Sequence, residues 1–232
     1  MTTRRTTDDY TAPVEDYLKT IYELELDSGA ASTNDIAGRL SVAPASVSGM
    51  VRRLADQGLL EHEKYRGVRL TDEGRRVALG TIRRHRVIET YLTERLGYPW
   101  DLVHDEAERL EHAASDELID RMAAALGEPT VDPHGAPIPT REGEIHEGDT
   151  TTLADLDAGE SARISRVSDD NPDLLRYLDE LGLTLGTFVT VLEHAPFDGP
   201  VTLRLGENGA TRERIIGRNV AAALRVEREA TA

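Results

Sequence analysis

Six side chains able to bind a divalent cation crowd a short stretch of this chain. His104, Glu108, Glu111 and His112 fall within the run HDEAERLEH, and His85 and Glu89 lie four residues apart upstream of it. On a helix each residue turns by about 100°, so the four point into an arc of about 100°, a single face. His85 and Glu89 share a face for the same reason. Helices that present imidazole and carboxylate groups to each other are how bundles build divalent-metal sites. A single Glu–His pair at this spacing is commonly a surface ion pair, and a lone His is commonly a satisfied core group. Six such residues on consistent faces of adjacent helices favour a metal. Catalysis has less behind it. The chain has no Gly-rich phosphate loop, no nucleophile elbow and no HExxH-type zinc-peptidase run. It has no cysteine, which removes thiolate ligands, a cysteine nucleophile and disulfides.

The elements that must carry these residues are legible from periodicity and breakers. One long helix is predicted from Thr71 or Asp72 to about Leu96, stopping at Gly97. A second is predicted from about Trp100 to Ala114, and a third is capped near Ser115 and ends at Gly127. Val77, Ile82, Val87, Ile88, Tyr91 and Leu92 supply apolar faces larger than this segment needs internally, which predicts a homodimer interface. Upstream, residues 14–26 read as an amphipathic helix with Val14, Leu18, Ile21 and Tyr22 on one face. Ser32 or Thr33 caps a short helix, NDIAGRL, and a tight break leads into PASVSGMVRRLADQG, with Pro44 in its first turn and Gly58 as its stop. LLEHEKYRGVRLT then reads as two strands around KYRG. Helix, helix-turn-helix and wing in that order make a winged-helix DNA-binding domain.

Residues 127–150 carry four prolines and four glycines and read as a connector. Residues 151–230 alternate apolar and polar positions in ARISRV, FVTVLEH, VTLRLG and ALRVE, with one short helix in NPDLLRYLDELGL. This suits a small SH3-like β-barrel. The expected fold class is α+β, in three domains. A winged helix-turn-helix spans 1–72, a helical dimerisation and metal-binding domain spans 73–140 with its linker to about 150, and the SH3-like domain spans 151–232.

Charge separates these domains. The formal net charge is −16, yet residues 39–86 hold eleven basic and five acidic side chains, a local +6 against −22 elsewhere. Phosphate contact is electrostatic, so a basic island on an acidic chain is what double-stranded DNA requires. Of the 27 basic residues only Lys19 and Lys64 are lysines. High acidity with scarce lysine favours a salt-loving microbe with molar salt inside the cell over a GC-rich genome that uses arginine codons. No apolar run reaches the roughly 20 residues of a membrane helix, and MTTRRTTDDY has no apolar stretch behind its arginines. A cytoplasmic location with no membrane partner is expected.

Across nearly the whole chain, the stretches EDYLKTIYELE, DIAGRLSVAPASVSGMVRRLADQGLL, VRLTDEGRR, RRHRVIETYLTERLG, VHDEAERLEHAASDEL and PHGAPIP resemble the diphtheria toxin repressor family of metal-dependent transcriptional regulators, here as an archaeal, halophile-type member. The resemblance implies a homodimeric repressor of metal-homeostasis genes, with a FeoA-type third domain and an inverted-repeat operator. It places a primary metal site on Asp16, Glu108, Glu111 and His112, and an ancillary site on His85, Glu89 and His104, completed by Asp169 or Asp170. Asp16 and Glu108, where iron-type members place Met and Cys, imply the manganese-type branch. A site of oxygen and imidazole without soft sulfur suits Mn²⁺ or Fe²⁺. Lys19 departs from that branch, where an acid is usual, and is expected in a salt bridge. On the second helix of the helix-turn-helix, Gly49 stands where a long polar side chain can read bases. Ala43, Ala45, Ser46 and Ser48 are then left to make small contacts, and Arg39, Arg52, Lys64 and Arg66 to hold phosphates. Two other readings stay open, a metal-independent winged-helix regulator with a structural His/Glu cluster and a metalloenzyme on a helical scaffold.

Overall fold

A computed structural model describes residues 10–63, 67–146, 148, 150–168, 171–206 and 211–228. These fall into two compact units, one of Met1–Ile88, Glu108–Ala125 and Pro139–Ile145, the other of Glu89–Ala107, Leu126–Ile138 and His146–Ala232.

In the first unit, α1 (Ala12–Ser28) begins with a proline in its first turn and ends at Gly29, whose φ of 79° suits a residue without Cβ. Its Val14, Leu18, Ile21 and Tyr22 are buried, as the periodicity predicts. In α2 (Thr33–Arg39), Ser32 caps the first turn by accepting from the Asp35 amide. After a turn at Ser41 (φ 53°), α3 (Pro44–Asp56) buries Val47, Val51 and Leu54. The strands β1 (Leu60–Glu63) and β2 (Gly67–Leu70) pair antiparallel as a wing. Then α4 (Asp72–Leu96) starts, with Thr71 Oγ1 accepting from the Gly74 amide at 3.1 Å. The first turns of α4 (Val77, Ala78, Leu79 and Ile82) join α1, α3 and the wing in one core.

The apolar residues of α4 correct one expectation. Val77, Ile82, Val87, Ile88 and Leu92 are buried within the chain and Tyr91 is half-buried, so they do not form an exposed dimer face. Exposed apolar side chains lie elsewhere, among them Leu96, Leu102, Leu110 and Leu118. A second correction concerns α5, which spans only Val103–Leu110 and not Trp100–Ala114. Glu111 and His112 therefore sit in the turn that follows. The Arg84 Nε donates to the Glu111 carbonyl at 2.9 Å, occupying an acceptor that a continuing helix would need. Ser115 then caps α6 (Asp116–Leu126), its Oγ accepting from the Leu118 amide at 3.3 Å.

In the second unit, a short 3-10 turn (Leu153–Asp155) precedes β3 (Ser161–Val167), α7 (Pro172–Leu181), β4 (Phe188–His194), β5 (Val201–Leu205), β6 (Arg212–Ile216), α8 (Arg218–Ala222) and β7 (Leu224–Arg228). The strands form one antiparallel sheet in the order β6-β5-β4-β3-β7 around a core that includes Ile164, Val189, Val191, Leu203 and Val226. Among the described residues no helix is long and apolar enough to cross a membrane.

Gly74 makes a close approach that yields a prediction. A Cβ there would lie 2.1 Å from the Leu59 carbonyl oxygen and 3.2 Å from the Leu70 side chain. In an open helix Gly→Ala stabilises by up to about 1 kcal/mol. Gly74→Ala should instead destabilise by about 1–3 kcal/mol, as overpacking does. Urea unfolding measures this, and a more stable variant would refute the close approach.

Candidate metal centre

The site in the first unit is built from α1 and the turn after α5. Asp16, Glu111 and His112 each offer a ligand atom, and these atoms lie within 4.8 Å of one another. His112 Nε2 is 2.8 Å from Asp16 Oδ1 and 3.5 Å from Glu111 Oε1. The other ring nitrogen, Nδ1, donates to Glu15 Oε2 at 2.6 Å. A carboxylate on the far nitrogen of a ligating imidazole fixes the tautomer and aims Nε2 at the metal position. Glu15 is in turn held by the buried Arg84 guanidinium, which also bonds the Glu111 carbonyl and stands 3.5 Å from Asp116. Arg84 thus locks the carboxylate that orients His112 to the turn that carries His112.

Charge is dense here. Hydrogen bonds to Asp16 and then Glu15 hold the His112 imidazolium, raising its pKa to about 10. Lys19 Nζ lies 2.6 Å from Glu108 Oε1 and 3.1 Å from Glu111 Oε2. Burial pulls this ammonium down, but Glu111 and Glu108 outweigh burial and hold its pKa above the ordinary lysine value. His85 Nδ1 approaches Glu111 Oε2 at 2.5 Å.

A second cluster belongs to the other unit. Glu89, Asp132 and His134 are all buried, and their ligand atoms also lie within 4.8 Å of one another. Asp132 Oδ1 accepts from the His134 and Ala136 amides at 2.8 and 2.9 Å, closing a tight loop. Gly135, with φ 85°, sits where a Cβ would come 2.0 Å from the Ser165 carbonyl oxygen. The His134 Nε2 donates to the Trp100 carbonyl at 2.8 Å, with the two rings stacked at 5.8 Å. That bond leaves the lone pair on Nδ1, which faces Glu89 Oε1 at 4.0 Å. His104 Nδ1 is 3.5 Å from the same oxygen.

Three of the residues expected for the primary site, Asp16, Glu111 and His112, thus meet, and Glu108 is engaged by Lys19 in the expected salt bridge. Of the expected ancillary residues, Glu89 and His104 lie together in the second unit, and His85 lies in the first beside Glu111. Asp169 and Asp170 lie outside the described residues. Sequence reasoning missed Glu15, Arg84, Asp132 and His134. For the last two a signal existed, a carboxylate and an imidazole two apart in DPHG, with a proline and a glycine setting the turn. On the surface of α3, Ala43, Ala45, Ser46, Ser48, Gly49 and Arg52 are exposed, and a Cβ at Gly49 would meet nothing within 4 Å. Arg39 is exposed too and pairs with Glu23 at 3.3 Å. Lys64 and Arg66 lie outside the described residues.

A helix-turn-helix with a wing, joined in one unit to a carboxylate–imidazole cluster, defines a DNA-binding protein with a candidate metal centre. Comparison with known proteins makes the class specific. Residues 9–68 match the iron dependent repressor N-terminal DNA binding domain, residues 71–140 its metal binding and dimerisation domain, and residues 151–228 the FeoA domain. The diphtheria toxin repressor of Corynebacterium glutamicum is 36% identical over 225 residues, covering 92% of this chain and 95% of that protein. The iron-dependent repressor IdeR of Mycobacterium tuberculosis is 32% identical over 209 residues, covering 85% and 90%. The match to the diphtheria toxin repressor of Corynebacterium jeikeium is more local, 41% over 134 residues, spanning 58% of this chain and 55% of that protein. Among solved structures, a manganese-dependent transcriptional repressor in complex with manganese superposes with a TM-score of 0.84 at 40% identity, covering 93% of this chain and 99% of that one. The chain belongs to the diphtheria toxin repressor family of metal-dependent transcriptional repressors, regulators rather than enzymes. The named relatives are bacterial and lend no support to an archaeal origin.

A pH dependence follows from His112. Its ring is protonated throughout the neutral range in the metal-free chain, and a ligating imidazole must give up that proton. Protons therefore compete with metal, and the apparent affinity should rise about tenfold per pH unit between pH 6 and 8. Competition titrations with a chelator check this, and a pH-independent affinity would exclude His112 as a ligand.

Proposed function

We propose that this protein is a homodimeric repressor of metal-homeostasis genes that binds double-stranded DNA when Mn²⁺ or Fe²⁺ is held by Asp16, Glu111 and His112, with Glu108 beside them. The observation that carries the reading is that Asp16, from the helix opening the DNA-binding domain, meets Glu111 and His112 from the turn after α5 within 4.8 Å. The bound ion supplies two positive charges at that meeting point. Asp16 and the α5 turn then hold α1 in one placement, and α1 shares its core with α3. Metal favours the DNA-competent arrangement by its differential affinity and no more. Oxygen and imidazole donors suit Mn²⁺ or Fe²⁺, although copper and zinc would bind tightly if available.

Glu89, Asp132 and His134, with His104 at their edge, form the second metal site in this reading, where two carboxylates match the charge of one divalent ion. On DNA, α3 enters the major groove with small side chains. Arg39 and Arg52, with Lys64 and Arg66, grip phosphates, so phosphate contacts outweigh base reading. Dimer symmetry calls for an inverted repeat with half-sites about one helical turn apart. The exposed Leu96, Leu102, Leu110 and Leu118 are apolar material for the dimer contact. The acidic, lysine-poor composition supports a halophile's cytoplasm. The Lys19 ion pairs favour one rival, a metal-independent regulator whose cluster is structural.

Fluorescence anisotropy on DNA from the gene's own upstream region, with chelator, then Mn²⁺, then anaerobic Fe²⁺, separates the two. Metal should tighten binding tenfold or more, about 1.4 kcal/mol, and Asp16→Ala should remove that gain. Asp16 is partly exposed, so the variant should fold. Equal binding with chelator and metal would leave a DNA-binding protein with a structural cluster.

A further inference from the structure

Glu111 faces two cation positions. On one side its Oε1 is 3.5 Å from His112 Nε2, within the set that includes Asp16. On the other its Oε2 is 2.5 Å from His85 Nδ1. Lys19 Nζ fills this second position, 2.6 Å from Glu108 Oε1, 3.2 and 3.1 Å from the two Glu111 oxygens and 3.4 Å from His85 Nδ1. The surroundings of the ammonium are two carboxylates and an imidazole, the donor types that take a divalent ion. The Lys19 side chain is only 12% exposed and that of Glu111 is fully buried, so these charges meet at short range with little water between them.

Charge points the same way. Lys19 stands against Glu108 and Glu111, while Arg84 is shared between Glu15 and Asp116. Without Lys19 the second position would lose its positive charge and keep the donors that receive a divalent ion.

We propose that Lys19 is a built-in cation in the second position of the Glu111 cluster, so that the cluster accepts one divalent ion and never a metal pair. The inference rests on the metal reading of Asp16, Glu111 and His112. It makes Lys19 the residue that sets stoichiometry in this cluster, where His85 steadies Glu111. The ammonium also ties α1 to Glu108 and Glu111 whether or not metal is bound.

The test counts Mn²⁺ on the full-length protein by equilibrium dialysis and reads its electron paramagnetic resonance spectrum, in which a close pair of ions is exchange-coupled and a single ion is not. Lys19→Met should bind one more Mn²⁺ per chain than the native protein and show the coupled signal. Both should vanish in Lys19→Met/His85→Ala. A Lys19→Met protein with the native count and no coupling would overturn the proposal. His85→Ala alone keeps the proposal falsifiable should Lys19→Met not fold. Its Mn²⁺ spectrum should match that of the native protein, and an exchange-coupled signal in the native protein that His85→Ala abolishes would place metal at the second position and overturn the proposal. Asp16→Ala separates this failure from failure of the metal reading. If Asp16→Ala keeps the native count, the cluster is not a metal site and the proposal falls with it. If Asp16→Ala loses one ion, a negative Lys19→Met result overturns the role of Lys19 alone.

Discussion

Four carboxylates, Glu15, Asp16, Glu108 and Glu111, share one corner of the first unit, and Glu15 and Glu111 are almost wholly buried there. Like charges this close repel strongly wherever water is scarce. The chain answers with Arg84 on Glu15, Lys19 on Glu108 and Glu111, and a protonated His112 between Glu15 and Asp16. On the proposed reading, a divalent ion would replace the proton on His112, so the cluster would hold more positive charge with metal than without. The placement of α1 depends on this balance, because Glu15, Asp16 and Lys19 all project from it.

The backbone serves the same constraint. α5 stops at Leu110, and the following turn brings Glu111 and His112 to α1 while Arg84 captures the Glu111 carbonyl. The opposite face of α1 (Val14, Leu18, Ile21 and Tyr22) is packed into the core that also holds Val47, Val51 and Leu54 of α3. One helix is therefore both a wall of the DNA-binding domain and a donor to the charged cluster. On the proposed reading, a change of charge at one face of α1 would bear on the packing at the other, and so on α3. The second unit repeats the logic on a smaller scale. The Trp100 carbonyl fixes the His134 tautomer, and the close approach of Gly135 to Ser165 fixes the loop that presents Asp132 and His134.

Much of this was legible in the sequence because it rests on local rules. Apolar spacing, Ser32 as a cap, Pro44 in a first turn and Gly97 as a stop placed α1 to α4 within a residue or two. The family resemblance put Asp16 beside Glu111 and His112, and the geometry of the first unit brings the three together. Helical periodicity alone failed at Glu111 and His112, because a tertiary bond from Arg84 ends the helix that the pattern would continue. Glu15 and Arg84 carried no sequence signal, since a buried ion pair looks like any two charged residues on amphipathic helices. The apolar residues of α4 misled, because periodicity shows that a face is apolar but not what covers it. β6 was missed because RERII has no alternation. It is an edge strand with Arg212 and Glu213 exposed, as edges that avoid pairing tend to be.

Amide hydrogen exchange on the native protein, with chelator and then with saturating Mn²⁺, tests the central claim most directly. If a cation at Asp16, Glu111 and His112 joins α1 to the turn after α5, the amides of α1 and of residues 108–112 should exchange at least tenfold more slowly with Mn²⁺. That is about 1.4 kcal/mol of added local stability. Exchange in these two segments that is the same with chelator and with Mn²⁺ would contradict the account, whatever metal does elsewhere in the chain.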